Sequence, residues 1–178
     1  MYIQPNRHSE ADRLAALATL NVLDTPRESP LDRLVFIAAQ ALRAPMAGLV
    51  LVDAERQWFK SRVGISATHF PRHESLCTHA IQSADPMIVE DTAADIRFSD
   101  NPLVTGPPFI RFYAGAPLIG PDAFRVGTLC VFDNVARAAT ASQVRLLVQL
   151  AQEAANLLMA RLVDESAGPG WPGYTTDA

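Results

Sequence analysis

Two cysteines and two nearby histidines are the side chains in this sequence best suited to covalent or metal chemistry. Cys77 and His79 stand two apart in the run Ser75-Leu76-Cys77-Thr78-His79-Ala80-Ile81, with His73 just ahead and Cys130 in a distant apolar segment. Thiolate and imidazole ligate borderline metals such as zinc. A helix over this run turns positions 77 and 79 about 200° apart, so both cannot easily face one ion. The simpler reading is a buried Cys77 and a hydrogen-bonded His79. A thiol oxidised to a sulfenic acid can be resolved by a second cysteine as a disulfide, but Cys130 sits in mid-strand, where burial opposes a thiolate.

A second group of residues surrounds a presumed pocket. Trp58 and Phe59 are adjacent on one strand, so one is expected to face the core or pocket and the other outward. Arg111 and Tyr113 share a strand face and could offer a cation and a phenol to an anionic or carbonyl ligand. The competing reading ties Arg111 to Asp91, Asp95 or Asp100 in an ion pair that holds a long loop. Glu90 and Asp91, adjacent on a strand end, point to opposite faces and cannot share one substrate atom. The chain has no glycine-rich phosphate loop and no Gly-x-Ser-x-Gly elbow, so a nucleotide hydrolase or esterase is unsupported.

The elements that must position these residues are legible in the hydrophobic pattern. Ala11, Leu14, Ala15, Leu17 and Ala18 have helical spacing behind Ser9 as an N-cap, and Asn21 ends the run. A second helix starts near Pro30 and runs to Leu42. Ala47 to Val52 is a short apolar run that suits a central strand, and Gln57 to Val63 pairs back on it as a hairpin. Gly64 to Glu74 reads as a loop, Leu76 to Ser83 as a short helix capped by Ser75, and Met87 to Val89 as a strand. Glu90 to Pro108 is a long connection, and long connections in compact domains are more often functional than filler. Arg111 to Leu118 and Arg125 to Asp133 are two further strands. Thr140 and Gln143 form a capping box for a last helix whose apolar stripe, Val144 to Leu162, is wider than one sheet contact needs. The predicted fold is α+β, with a mostly antiparallel sheet of about five strands.

The sequence has 178 residues, with 49% apolar and 19% charged side chains, which suits one globular domain at 9–163. Residues 1–8 read as an extension and 164–178 as a flexible Gly/Pro-containing tail. A net charge of -4 without a dense basic run argues against nucleic acid or anionic lipid as a partner. No secretory leader is evident, and no stretch approaches the roughly 20 apolar residues of a membrane span, so the expected location is cytoplasmic. Both cysteines are read as free thiols.

Several phrases resemble one known family. Val22-Leu23-Asp24-Thr25-Pro26, Gln57-Trp58-Phe59-Lys60-Ser61, Cys77-Thr78-His79-Ala80-Ile81, Asn101-Pro102-Leu103-Val104, Arg111 to Leu118 and Gly127 to Val131 are together similar to the GAF domains found ahead of bacterial histidine kinases and cyclic-dinucleotide enzymes. The resemblance spans about Ala11 to Leu162. It implies a central sheet with the terminal helices on one face and ligand-enclosing segments on the other, which suits a non-catalytic sensor, and the surplus apolar width of the last helix points to a homodimer formed through the terminal helices. No output domain lies within the chain, so, if it is the whole gene product, its signal is expected to pass to a separate protein such as a kinase or cyclase, or through its own oligomer. The ligand is left unknown. Bilin attachment uses a cysteine followed directly by histidine, whereas Thr78 intervenes here, and the Asn-Lys pair of cyclic-nucleotide GAF domains is missing. The pocket candidates are Trp58, Phe59, Cys77, His79, Asp91, Asp100, Arg111 and Tyr113, with Gly64 to Glu74 and Glu90 to Pro108 as moving lids. Two alternatives stay open. One is a GAF-type free methionine sulfoxide reductase, which Cys77 suits by position but the thiol-free Arg111-Phe112-Tyr113-Ala114-Gly115 does not. The other is an interaction module whose interior is filled by its own side chains.

Overall fold

Capping and proline placement set the first two helices of the computed structural model, which describes residues 9–166 and their side chains as far as Val163. α1 (Glu10–Thr19) starts in a capping box, with the Ser9 hydroxyl accepting from the Asp12 amide and the Asp12 carboxylate accepting from Ser9. α2 (Ser29–Ala41) carries Pro30 in its first turn, where a missing N–H costs nothing, and buries Leu31, Val35, Ala38 and Ala39.

The strands β1 (Met46–Val52), β2 (Arg56–Val63), β3 (His69–Pro71), β4 (Met87–Val89), β5 (Phe112–Ile119) and β6 (Arg125–Asp133) form one antiparallel sheet in the order β3-β2-β1-β6-β5-β4. The sheet therefore has six strands, not about five. The extra strand is β3, inside the segment expected to be a loop; its three residues are too few for a visible alternation, and pairing with Arg56, Gln57 and Trp58 of β2 alone defines it. β1 is buried on both faces, as a central strand should be.

Each face of the sheet carries its own core. On one face Leu49, Leu51, Ala114, Leu118, Leu129 and Val131 meet α2 and the long α5 (Ala141–Ser166), which begins in the expected Thr140–Gln143 capping box. On the other, Val50, Phe59, Tyr113, Cys130 and Phe132 meet α3 (Leu76–Ala80) and the β4–β5 connection. That connection is less of an open loop than its composition suggests. It contains the short helix α4 (Pro102–Thr105), capped by the Asn101 side chain, and drives Phe98, Leu103 and Val104 into the interior.

β2 carries an irregularity that changes its faces. Leu49 pairs with Ser61 and Val50 with Phe59, which leaves Lys60 unpaired as a bulge. Lys60 and Ser61 both turn toward the helix layer as a result. Lys60 Nζ donates to Thr25 Oγ1 at 2.7 Å and to the Pro26 carbonyl at 2.5 Å, and Ser61 bonds the Asp32 carboxylate of α2.

The expectation that no stretch suits a membrane span needs correction. Ala141–Val163 of α5 has a mean hydropathy of 1.2 and passes on length and composition. In this fold its Leu147, Ala151, Ala154 and Leu158 are buried against the sheet and α2. The expected extension 1–8 and the tail from 167 lie outside the described residues, and α5 runs through Ser166, past the boundary placed at 163.

Candidate functional site

Opposite the terminal helices, the sheet face is closed by side chains of the chain itself. Glycines make this possible at two places. A Cβ on Gly115 would lie 2.1 Å from the Tyr113 hydroxyl, and one on Gly48 would lie 2.6 Å from the Phe59 ring. The Tyr113 and Phe59 side chains therefore lie over the bare backbone of these glycines. Phe132 packs against Tyr113 with ring centroids 5.4 Å apart, and Phe70 of β3 stands edge-on to Phe59 at 5.7 Å. Phe98 covers the outer side, and Tyr113, Cys77, Cys130 and Phe98 are all fully buried.

At the centre of this layer lie the two thiols. Cys77 reaches down from the first turn of α3, which Ser75 caps through the Thr78 amide. Its sulfur is 3.8 Å from Cys130 Sγ, and it accepts hydrogen bonds from Thr128 Oγ1 at 3.2 Å and Tyr113 Oη at 3.4 Å. Cys130 donates in turn to the Gly48 carbonyl at 3.5 Å. Burial opposes ionisation of Cys77, but hydrogen bonds with Cys130, Thr128 and Tyr113 outweigh it and hold the thiol below its ordinary value. Cys130 is pushed well up by burial and then by its neighbour Cys77, and the Tyr113 phenol is raised chiefly by burial.

The eight sequence candidates divide in the folded structure. Phe59, Cys77 and Tyr113 share the interior opposite the helices. Trp58 belongs to the helix-side core, so neither Trp58 nor Phe59 faces outward; β2 lies between β3 and β1 in the sheet, with α2 packed on the Trp58 face and the Phe70 ring against Phe59 on the other. Arg111 and Tyr113 do not act together. Tyr113 is fully buried, whereas Arg111 stands at the surface just before β5 and makes a two-pronged bond to Asp91, 3.0 Å on each arm. The ion-pair reading therefore describes Arg111, with Asp91 as the partner. Asp95 is engaged by Arg97 instead, and Asp100 is exposed. His79 packs edge-on to Phe98 with ring centroids 4.9 Å apart, and among the described residues its ring has no hydrogen-bond partner of the kind expected. Partial burial, then the nearby Arg97, holds its imidazole below its usual value. Among the described residues no three His, Cys, Asp or Glu side chains gather into a metal site.

The two segments expected to act as lids are clasped together. Asn101 Nδ2 donates to the Glu74 carbonyl at 3.0 Å and joins the two, while Thr92, fully buried, ties the second segment to the lead-in of β5 by donating to the Ile110 carbonyl at 2.6 Å. Sequence reasoning missed Thr128, Phe98 and Phe132 as interior residues. The signal for the first was present, because Thr128 and Cys130 are two apart on one strand and so share a face. Phe98 offered none, since its place depends on how an irregular segment folds back.

One antiparallel sheet with helices on one face and irregular segments sealing the other is a recognised class of α+β domain. The family model of the GAF domain matches residues 26–158, and the chain belongs to that family. A cyclic di-GMP phosphodiesterase of Pseudomonas aeruginosa is 34% identical over 162 residues, which is 91% of this chain but 27% of that protein. The chain thus spans little more than a quarter of this curated relative. Among solved structures, the GAF domain of a phosphoenolpyruvate-protein phosphotransferase from Coxiella burnetii matches with a TM-score of 0.62 at 18% identity, covering 89% of this chain and 99% of that one. The free methionine-R-sulfoxide reductase of Neisseria meningitidis matches with a TM-score of 0.61 at 16% identity, covering 93% and 99%. At these identities the structural matches show the shared fold alone.

Proposed function

We propose that this chain is a non-catalytic regulatory GAF domain of a signalling system, whose interior is occupied by its own side chains and whose output passes along α5. The observation that carries this reading is the closed layer of Phe59, Tyr113, Phe98 and Phe132 around Cys77 and Cys130, in the region where a GAF domain of the sensor type would hold a ligand. Filling that space with rings that rest on Gly48 and Gly115 makes room for a ligand costly, since at least one aromatic side chain must leave its packing. The kinship with part of a protein named as a cyclic di-GMP phosphodiesterase favours an enzyme of cyclic-dinucleotide signalling as the output partner.

The assembly in this reading is a homodimer through the terminal helices. Support comes from α5, where Val148 and Val163 are exposed and Val148 borders a groove of about 390 Å3 with Ile119, Gln152 and Asn156. Native mass spectrometry set beside the denatured mass tests both parts. A dimer without adduct is expected. A stoichiometric small-molecule adduct would replace the filled-interior reading with that of a ligand sensor, and a monomer at micromolar concentration would remove the dimer.

A thiol-dependent sulfoxide reductase is the alternative, and the contact between Cys77 and Cys130 is what favours it. Their complete burial counts against it, because free methionine sulfoxide must meet an attacking sulfur. Turnover of that substrate with a dithiol reductant, abolished in Cys77→Ser, would establish the enzyme; its absence in the unsubstituted protein removes it.

A further inference from the structure

We infer that Cys77 and Cys130 form an oxidisable dithiol, which hydrogen peroxide converts into an intramolecular disulfide joining α3 to the centre of the sheet. The two sulfurs touch at 3.8 Å although they come from elements 53 residues apart in sequence. A disulfide needs them at about 2 Å, an approach of under two ångströms shared between side-chain rotation and movement of α3. α3 is only five residues long and projects its first turn onto β6, so it is the element able to supply that movement.

The surroundings of the pair assign different roles to its two members. Thr128 Oγ1 and Tyr113 Oη both donate to Cys77 Sγ, and an anionic sulfur gains most from two such donors. Cys130 instead donates its proton to the Gly48 carbonyl, an arrangement that suits the neutral thiol. Cys77 is therefore the attacking sulfur and Cys130 the resolving one. Both are fully buried, so the oxidant must be small and uncharged and must enter when α3 opens locally. Reaction is then slower than at an exposed thiolate.

The chemistry balances with peroxide as the only oxidant. The Cys77 thiolate attacks one peroxide oxygen, the O–O bond breaks, and the departing hydroxide takes up the proton Cys77 released, leaving Cys77 as a sulfenic acid and one water. The Cys130 sulfur then attacks the Cys77 sulfur. The S–O bond breaks, and hydroxide leaves with the Cys130 proton as a second water. Two thiols are oxidised and one peroxide is reduced. Use of this bond as an input signal rests on the regulatory reading above, whereas formation of the bond does not.

The test takes the reduced protein, exposes it to hydrogen peroxide, and quenches it in denaturant with N-ethylmaleimide before intact mass measurement. The expected product is a monomer lighter by two hydrogens that carries no maleimide and regains two alkylatable thiols after dithiothreitol. Cys130→Ala should stop at a sulfenic acid on Cys77 that dimedone traps, and Cys77→Ala should leave Cys130 alkylatable. Two thiols still open to alkylation in the folded wild type after peroxide treatment would overturn the proposal, as would disulfides found only between chains. Neither result depends on the oligomer count or adduct read by native mass spectrometry, so failure here and failure of the regulatory reading can be told apart.

Discussion

Lys60 Nζ lies 2.7 Å from Glu28 Oε1, with the lysine side chain fully buried, and the same carboxylate also receives Arg161 from α5. One carboxylate thus links the β2 bulge, the α1–α2 segment and the last described turns of α5. Burial pulls the Lys60 ammonium below its ordinary value, and the Asp32 carboxylate opposes the shift. Glu28→Gln should cost about 1 to 3 kcal/mol in urea unfolding, because a buried cation loses its counter-charge while keeping Thr25 and Pro26. It should also speed amide exchange in α5 around Arg161. A stability change under about 0.5 kcal/mol would show that the pair is surface-like in energy.

The Gly115–Tyr113 contact makes a steric prediction. Gly115→Ala places a methyl 2.1 Å from the phenol oxygen and 2.6 Å from Cζ, and overpacking of this kind costs about 1 to 3 kcal/mol. Adding Tyr113→Leu removes the ring that the methyl meets. The double variant should therefore lose less than the sum of the two single losses, which a double-mutant cycle in urea measures. Strict additivity would mean that the ring does not rest on Gly115.

Acid should weaken the anchoring of α1. The hydrogen bond from Arg13, opposed by burial and reinforced by a further hydrogen bond from Arg72, holds the Glu10 carboxyl at about 2 instead of 4.5. Folding favours the ionised form, so this contribution is complete above pH 4.5 and disappears as pH falls through 2. Because the Glu10 side chain is 49% exposed, solvent screening limits it to about 1 kcal/mol or less. Glu10→Gln should therefore flatten the decline of stability between pH 5 and pH 2 by about that amount, and parallel curves for the two proteins would refute the assignment.

The Arg111–Asp91 pair, in contrast, should matter little to stability. Both side chains are more than a third exposed, at 40% and 35%, and solvent screens pairs of that kind strongly. Arg111→Met is expected to leave the urea midpoint nearly unchanged, with any small difference shrinking in molar salt. A larger or salt-independent loss would point to a role beyond tying down the loop.

Much of the fold was legible because its signals are local. The Ser9 and Thr140 caps, the Pro30 helix start, the all-apolar β1 and the wide stripe of α5 each announce themselves within a dozen residues. The candidate site was read less well. The sequence points to Cys77 and Tyr113 as pocket residues from separate segments, but nothing local in it signals their meeting with Cys130 and Thr128. Adjacency on one strand gives Trp58 and Phe59 opposite faces; that both faces are covered depends on α2 packing over one and Phe70 and the rest of the second core over the other, which no pattern within β2 records.

By itself the sequence determined the order and kind of most elements, the free state of two apolar-flanked thiols and the membership of one family, since periodicity, capping and turn residues act over short distances along the chain. Tertiary structure alone decided that the interior opposite the helices is filled, that Lys60 bulges toward Glu28, and that two sulfurs 53 residues apart touch. These depend on strand register and on how irregular segments close over the sheet. A one-residue shift in pairing moves every following side chain to the other face, and only the packed whole selects between such alternatives.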